Sequence, residues 1–111
     1  MDSQKEIQLV VEVCRHGARA PGTFYPFTVN HPHDNFKIPD DLTLSGALMH
    51  YNLGKNYVRA NYLEKYRFLS VKYDSNEVYV QTTDNQRTIL SATSQLDGIY
   101  YRNLSFPLPD Q

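Results

Sequence analysis

The chain of 111 residues carries 11 basic and 12 acidic side chains, giving a formal net charge of −1, and it has one cysteine. This length fits a single domain, and the balanced charge offers no basic excess for binding nucleic acid or an acidic membrane surface. One cysteine excludes an internal disulfide. No run approaches the roughly 18 consecutive apolar residues of a membrane span. The first residues also lack the hydrophobic region of an export signal, so the sequence itself leaves the localisation open.

Three segments favour non-helical backbone. Residues 7–13 are a short run rich in β-branched side chains, which predicts a buried strand. Prolines and glycines interrupt residues 17–41 too often for a regular helix, so this stretch is predicted to be a long loop. Residues 78–80, with the sequence Val-Tyr-Val, are predicted to form a second strand. The ordered part of the chain is expected to end at Pro107 and Pro109.

Two segments show the apolar spacing of a helix. The first begins at Thr43 or Ser45, either of which can cap a helix, and is predicted to end near Tyr66. Gly54 lies on its apolar stripe, where we expect a neighbouring element to come close. The second helix is predicted to be capped by Asp84 and to bury one set of side chains, namely Ile89, Leu90, Thr93, Leu96 and Tyr100.

In chain order, the strand, long loop, helix, strand and helix form a βαβ unit followed by one more helix. Because such a crossover joins parallel strands, the sequence predicts an α/β fold with a mainly parallel sheet. Ligands of open α/β sheets bind beyond the carboxyl ends of the strands. The residues that directly follow 7–13 and 78–80 are therefore the first candidates for a functional site.

The first predicted strand is followed directly by Arg15-His16-Gly17-Ala18-Arg19-Ala20-Pro21. Two arginines around a histidine are an unusual structural choice, since buried guanidinium groups need partners. Opposite an anion they make sense, because arginine offers a fork of donors that matches phosphate oxygens and a neutral imidazole can attack phosphorus. We therefore predict Arg15 and Arg19 as phosphate-binding residues and His16 as a nucleophile. The alternative is a solvated turn after an edge strand.

A further arginine follows the second predicted strand, in the sequence Thr82-Thr83-Asp84-Asn85-Gln86-Arg87. If the two strands are parallel neighbours, Arg87 converges with Arg15 and Arg19 beside His16. Three neighbouring cations disfavour a further positive charge on the ring and keep it in its neutral, nucleophilic form.

These motifs resemble those of the histidine acid phosphatases, which belong to branch 2 of the histidine phosphatase superfamily. Residues 15–21 are similar to the RHGxRxP signature of that family, and residues 42–46 (LTLSG) resemble its LTxxG helix start. Residues 51–54 (YNLG) extend the resemblance, and residues 82–92 (TTDNQRTILSA) are similar to the family's ST-D-x-x-R-T-x-x-S-A block. The pieces occur in the family's order along most of the chain.

The resemblance implies a three-layer α/β/α fold and hydrolysis of phosphate monoesters through a phosphohistidine intermediate on His16. Arg15, Arg19 and Arg87 would bind the phosphate oxygens and stabilise the developing charge, with no metal or other cofactor. The expected partner is a small-molecule phosphomonoester, with no nucleic acid and no membrane span, while the physiological substrate and the oligomeric state stay open. A lysosomal or secreted localisation follows from the family alone.

The resemblance also implies that residues 1–111 form the N-terminal part of one truncated histidine phosphatase domain. The family's His–Asp pair, which binds phosphate and protonates the leaving group, lies far downstream, and this sequence has no histidine after His50. Three interpretations therefore stay open: an acid phosphatase, a non-catalytic phosphate-binding remnant, and a part of such an enzyme that does not fold alone.

Other chemically reactive residues favour structural roles. Cys14 lacks the arginine that a C-x5-R phosphatase motif requires, and we expect it to end the buried strand as a small apolar side chain. The sequence His31-Pro32-His33-Asp34 offers too few ligands for a structural zinc site and is predicted to be exposed loop rather than a metal site or a displaced acid pair. His50 lies off the apolar stripe of its helix, where we expect it to be solvated. Asn103-Leu104-Ser105 is a glycosylation sequon.

Overall fold

The computed structural model describes residues 5–23 and 38–101. Helix α1 (Leu44–Leu53) continues directly into a π-helix (Gly54–Lys65), and an irregular stretch then leads to helix α2 (Gln86–Tyr100). In this part of the chain, no helix is long and apolar enough to cross a membrane. Several predictions fall outside the described residues, namely those for His31-Pro32-His33-Asp34, Asn103, Pro107 and Pro109.

Helix α1 begins as predicted, because Thr43 caps it. The Thr43 hydroxyl oxygen accepts a hydrogen bond from the backbone N–H of Gly46 at 3.0 Å, which satisfies one of the free donors at the helix start. Both the backbone N–H and the hydroxyl of Thr43 also donate to the carbonyl oxygen of Ala18, at 2.9 Å and 2.8 Å. The cap therefore ties the helix start to the segment that precedes it in the sequence.

The π-helix ends at Lys65, and the predicted helix boundary near Tyr66 is confirmed. Its hydrogen bonds span five residues, as in the bond from the N–H of Tyr66 to the carbonyl oxygen of Asn61 at 2.8 Å. Arg59 is buried on this helix, and its Nη1 donates to the carbonyl oxygen of Ile99 at 2.6 Å. This bond links the π-helix to the C-terminal end of α2.

Two glycines bring α2 into backbone contact with α1 and the π-helix. A Cβ atom on Gly54 would overlap the carbonyl oxygen of Gln95, and a Cβ atom on Gly98 would overlap that of Tyr51. The prediction that a neighbouring element approaches Gly54 is therefore confirmed. Only residues without a side chain allow the helices to pack this closely.

The hydrophobic core is small and lies where the π-helix meets the end of α2. Its buried members are Leu63, Ile99 and Tyr100, and the half-buried side chains packed against them are Val58, Leu69 and Leu96. The predicted apolar face of α2 is correct for Leu96 and Tyr100 only. Ile89 and Leu90 are 46% and 39% exposed, and Thr93 is also exposed.

In its first half, α2 buries polar residues instead. Ser91, Ser94 and Gln95 recur at spacings of three and four, and all three are buried. The helix is preceded by Asn85 in an extended conformation rather than capped by Asp84, so that prediction is wrong. Small and polar side chains occupy this face because it packs closely against α1 and contacts the N-terminal segment.

The predicted α/β fold with its mainly parallel sheet is wrong for the described residues. Residues 5–23 and 38–101 contain no β-strand, and their isolated β-bridge is the antiparallel pair of Arg19 and Leu42. The two segments predicted as strands, 7–13 and 78–80, do not pair. Residues of both line the same open cavity of about 930 Å³.

The physical reason lies in the hydrogen bonding of the two kinds of element. A helix satisfies its own backbone groups, whereas a strand needs a neighbouring strand to supply the partners. β-branched residues favour a strand only where such a neighbour and a covering layer exist. Val11, Val13 and Tyr79 are 74%, 94% and 84% exposed, so neither segment is packed against another layer of the described structure.

Candidate functional site

The segment that contains Arg15, His16 and Arg19 is held against the start of α1. Besides the bonds from Thr43 to Ala18, the backbone N–H of Ala20 donates to the carbonyl oxygen of Asp41 at 2.8 Å. These bonds surround the bridge between Arg19 and Leu42 and fix the course of the segment.

Two glycines allow the segment to lie directly on the first turn of α1. A Cβ atom on Gly17 would overlap the carbonyl oxygen of Gly46, and a Cβ atom on Gly46 would overlap that of Ala18. Both glycines are buried. Glycine is therefore required at both positions by the close approach of two backbones.

The ring of His16 is oriented by the residue that follows it. Its Nδ1 lies 2.7 Å from the carbonyl oxygen of Gly17. Since a carbonyl oxygen can only accept, Nδ1 carries the hydrogen in this contact. In the neutral ring the lone pair is then on Nε2, which is the nitrogen available for attack on an electrophile.

One hydroxyl group connects this segment to α2. Ser91 Oγ accepts a hydrogen bond from the backbone N–H of Gly17 at 3.1 Å and donates to the carbonyl oxygen of Arg87 at 2.6 Å. The two sequence motifs that carry the predicted site residues are therefore joined through a single buried side chain. The sequence predicted that the Arg87 side chain converges with Arg15 and Arg19 at the edge of a sheet; the contact through Ser91 joins the two backbones only.

Three of the four predicted site residues share one concave surface. An open cavity of about 410 Å³ is lined by Arg15, His16 and Arg19 together with Gly17, Ala18, Ala20, Pro21 and Met49. Arg87 is not among these lining residues. Its Nε is buried and has no hydrogen-bond partner among the described residues.

Arg19 already has an acidic partner. Its Nη1 lies 2.9 Å from Oδ1 of Asp40 and also donates to the carbonyl oxygen of Ala20 at 2.9 Å. Asp40 adopts a positive φ of 66°, a backbone conformation that aspartate and asparagine tolerate better than most residues. The side chains of Arg19 and Asp40 are 33% and 49% exposed, so solvent screens this ion pair.

His50 is buried, contrary to the prediction that it is solvated. Its Nε2 lies 2.8 Å from the carbonyl oxygen of Arg15, and its Nδ1 lies 3.2 Å from Oε1 of Gln95. A signal for this burial was present in the sequence, because His50 lies four residues from both Gly46 and Gly54 and so shares their face of the helix. The glycines, rather than the large apolar residues, mark the packed face.

Gln95 connects His50 to the segment that precedes the candidate site. Its side-chain Nε2 donates a hydrogen bond to the carboxylate of Glu12. Gln95 is 7% exposed, whereas Glu12 is exposed, so this connection leads from the interior to the surface. A row of polar contacts therefore runs from Glu12 through Gln95 and His50 to the backbone of Arg15.

Cys14 is exposed rather than the end of a buried strand. Its Sγ lies 3.9 Å from Oε1 of Gln95. Partial desolvation, followed by the nearby carboxylate of Glu12, raises the pKa of the Cys14 thiol. The protonated thiol is therefore favoured, which argues against a cysteine nucleophile at this site.

Acid phosphatases resemble this chain in sequence. It is 36% identical over 99 residues to the lysosomal acid phosphatase of Bos taurus, in a match that covers 86% of the chain and 22% of the relative. It is also 36% identical over 99 residues to the prostatic acid phosphatase of Rattus norvegicus, covering 86% and 24%. The human lysosomal acid phosphatase is 34% identical over 102 residues, covering 89% and 22%. The chain thus spans about a quarter or less of the length of these relatives.

A sequence model of the histidine phosphatase superfamily (branch 2) matches residues 32–110. This range includes Arg87, whereas Arg15, His16 and Arg19 precede it. The match covers well over half of the chain and agrees with the resemblance found in the motifs. The chain therefore belongs to branch 2 of the histidine phosphatase superfamily.

Proposed function

We propose that this chain binds the phosphate group of a small-molecule phosphomonoester and supplies His16 as the nucleophile of an acid phosphatase. The orientation of the His16 ring carries the proposal. With Nδ1 bound to the carbonyl oxygen of Gly17 at 2.7 Å, the neutral ring has its lone pair on Nε2. Relatives that bear the name acid phosphatase support the reaction class.

The arginines of the same cavity supply the binding chemistry. Arg15 and Arg19 line the cavity together with His16, and guanidinium groups match the geometry of phosphate oxygens. Arg87 supports the proposal through its buried Nε, a donor without a partner among the described residues. We infer that the anion brings Arg87 and the two lining arginines together.

The proposed reaction has two steps. The lone pair of His16 Nε2 attacks phosphorus, and the new N–P bond forms as the bond from phosphorus to the ester oxygen breaks. The departing oxygen takes up a proton from solvent and leaves as an alcohol. Water then attacks phosphorus and gives up a proton to solvent, while the N–P bond breaks and its electron pair returns to Nε2, which releases inorganic phosphate and restores the free imidazole. The arginines stabilise the charge that spreads over the phosphoryl oxygens in both steps.

The test uses 2,4-dinitrophenyl phosphate, because its leaving group departs as a stable anion and does not depend on a protonating residue. We expect the purified chain to release dinitrophenolate in an amount comparable to the protein and to become phosphorylated on His16. Rapid-quench absorbance measures the release, and mass spectrometry under alkaline conditions detects the phosphohistidine.

His16→Ala is the test variant and His33→Ala is its control, since each removes one of the four histidines of the chain. His16→Ala should abolish both the release and the labelling, whereas His33→Ala should retain them. Equal release by the unaltered chain and His16→Ala would overturn the proposed nucleophile. Binding of inorganic phosphate without release or labelling would support the alternative, a non-catalytic phosphate-binding protein.

A further inference from the structure

We propose that His50 is a positioning residue that orients the backbone around His16 and so prepares the ring of His16 for attack. This inference rests on the proposed function, since it concerns the same cavity. It goes further by assigning a role to a buried side chain that does not line the smaller cavity with Arg15 and Arg19.

The contact between His50 and Arg15 fixes the direction of one hydrogen bond. The carbonyl oxygen of Arg15 can only accept, so His50 Nε2 carries the hydrogen and donates it across 2.8 Å. His50 is 6% exposed, so an apolar side chain at this position would lie against the Arg15 carbonyl oxygen in place of the donor. Loss of the donor would then remove this partner of the carbonyl group.

The imidazole of His50 is itself held in place from its other side. Its Nδ1 lies 3.2 Å from Oε1 of Gln95, and the amide nitrogen of Gln95 donates to the carboxylate of Glu12. The amide oxygen can only accept, so it bonds to the ring when Nδ1 carries a hydrogen as well as Nε2, while the amide nitrogen binds the carboxylate. The orientation of His50 is thus determined by α2 and by the segment before Arg15.

A second contact restrains the other side of His16. The backbone N–H of Gly17 donates to Ser91 Oγ at 3.1 Å. The carbonyl group before His16 and the amide group after it are therefore both bound to buried side chains, one on α1 and one on α2. With both peptide planes that flank His16 held, the direction of its Cα–Cβ bond is fixed. The carbonyl oxygen of Gly17 belongs to the next peptide plane, which lies between the bound N–H of Gly17 and the carbonyl oxygen of Ala18, the acceptor of two bonds from Thr43. Held from both ends, this oxygen stays within reach of His16 Nδ1, which keeps the lone pair on Nε2.

A purely structural histidine would stabilise the fold without affecting the ring of His16. The two roles differ in the tautomer of His16, which a stability measurement does not report. Imidazole nitrogens labelled with ¹⁵N distinguish the two tautomers by chemical shift, and the His16→Ala variant assigns the His16 signals among those of the four histidines. The measurement needs neither phosphate nor turnover.

The experiment compares the unaltered chain with His50→Leu and His50→Gln. Leucine fills a similar volume without a donor, whereas the glutamine amide nitrogen can donate to the Arg15 carbonyl. We expect the Nδ1–H tautomer of His16 in the unaltered chain and in His50→Gln, and a mixture of tautomers in His50→Leu. Inorganic phosphate, titrated in the same samples, should bind about 5-fold to 10-fold more weakly to His50→Leu, which corresponds to the loss of roughly one hydrogen bond.

Circular dichroism shows whether each variant retains its helices. If His50→Leu loses its helices, Gln95→Met is used in its place. This variant keeps the His50 donor but removes the amide that orients the ring. We expect a mixture of His16 tautomers in it too, with a smaller share of the second tautomer than in His50→Leu. The inference would be overturned if His16 kept the Nδ1–H tautomer in a folded His50→Leu or, in its place, Gln95→Met variant. It would also be overturned if His50→Gln folded but showed the same mixture of His16 tautomers as His50→Leu.

Phosphate binding separates this inference from the proposed function. If the unaltered chain binds no inorganic phosphate and is not labelled on His16, the proposed function fails, and the tautomer comparison still decides whether His50 orients His16. If phosphate binds and the tautomer does not respond to position 50, the positioning role fails while the proposed function stands.

Discussion

Arg19 and Asp40 form an ion pair in which Nη1 and Oδ1 are 2.9 Å apart. One of the guanidinium groups that we propose to bind phosphate therefore also has a carboxylate partner within the chain. An anion that binds Arg19 must compete with Asp40 for the same donor. Because both side chains are partly exposed, the pair is weak enough to be displaced.

Replacement of Asp40 by asparagine should strengthen phosphate binding. Asn tolerates the positive φ of position 40 and removes the charge that competes for Arg19. We expect a gain in affinity of at most about fivefold, since exposed ion pairs contribute roughly 0.2–1 kcal/mol. Asp41→Asn removes the same charge from the neighbouring position and serves as the control. An equal gain in both variants, measured by calorimetric titration of inorganic phosphate, would contradict direct competition.

Alanine at Gly54 or Gly98 should destabilise the protein. A Cβ atom at either position would overlap a backbone carbonyl oxygen, and the helices would have to separate. Overpacking of this kind costs about 1–3 kcal/mol in the free energy of unfolding. Urea unfolding followed by circular dichroism measures it.

Gly22 provides the matched control for these glycine variants. A Cβ atom there would lie 3.2 Å from the side-chain Oδ1 of Asp40, which can shift, and its φ is not positive. Gly22→Ala should therefore leave the unfolding midpoint nearly unchanged. Equal destabilisation by Gly22→Ala and Gly98→Ala would argue against a close backbone contact at Gly98.

Removal of the Tyr100 hydroxyl group should not destabilise the fold. Tyr100 is 1% exposed, and its hydroxyl has no hydrogen-bond partner among the described residues. Tyr100→Phe should be neutral or stabilising by up to about 1 kcal/mol, because it removes a buried polar group that lacks a bond. Tyr100→Ala should cost about 3–5 kcal/mol, since it also removes the ring that packs edge-on against Tyr73. A clear loss of thermal stability in Tyr100→Phe would contradict this account.

The stability of the protein should depend on the ionisation of Asp97. Burial raises the pKa of the Asp97 carboxyl in the folded chain, so the folded state binds a proton more readily than the unfolded state. The free energy of unfolding should therefore fall as the pH rises from the ordinary carboxyl range through this raised pKa. Asp97→Asn removes this loss, and we expect a small stabilisation at neutral pH that disappears in acid.

Thermal melts across the acidic range test the Asp97 prediction, with the exposed Asp84 as the site of a control substitution. Asp84→Asn removes the same charge from a solvated position and should produce no stabilisation at neutral pH. A difference between Asp97→Asn and the unaltered chain that does not depend on pH would show that the carboxyl group acts through packing rather than ionisation.

The thiol of Cys14 should react slowly with iodoacetamide at neutral pH. Partial desolvation and the Glu12 carboxylate raise the pKa of Cys14, and the thiolate is the reactive form. Glu12→Gln removes one of these two causes and should increase the alkylation rate at a given pH. An alkylation rate that is unchanged in Glu12→Gln would exclude this electrostatic effect.

The helical part of the fold could be predicted from the sequence because its causes are local. Thr43 caps α1 through a bond to a residue three positions later, and the helical segment ends next to Tyr66. The approach of a neighbour at Gly54 was also foreseeable, since a glycine on a packed helical stripe indicates a close contact. The chemistry of residues 15–21 alone led to their prediction as a candidate site, and the roles of these residues stay predictions.

The predicted strands failed because a strand depends on partners elsewhere in the chain. Val13 and Tyr79 have side chains that favour strands, but both are exposed, and the described residues contain no strand that could pair with them. His50 was missed for a related reason. Its burial follows from the backbone contacts of the glycines four residues on each side, which an apolar stripe does not reveal.

The contact at Gly98 also sets the axial register of α2. Because it joins two backbones, no rotation of a side chain can absorb a sliding motion of one helix along the other. Ser91 lies seven residues before Gly98, or about 10 Å along the axis, and this fixed interval determines where its hydroxyl meets the amide of Gly17. A substitution at Gly98 would therefore displace Ser91 Oγ, the acceptor for the N–H of Gly17, although Gly98 does not line the cavity with His16.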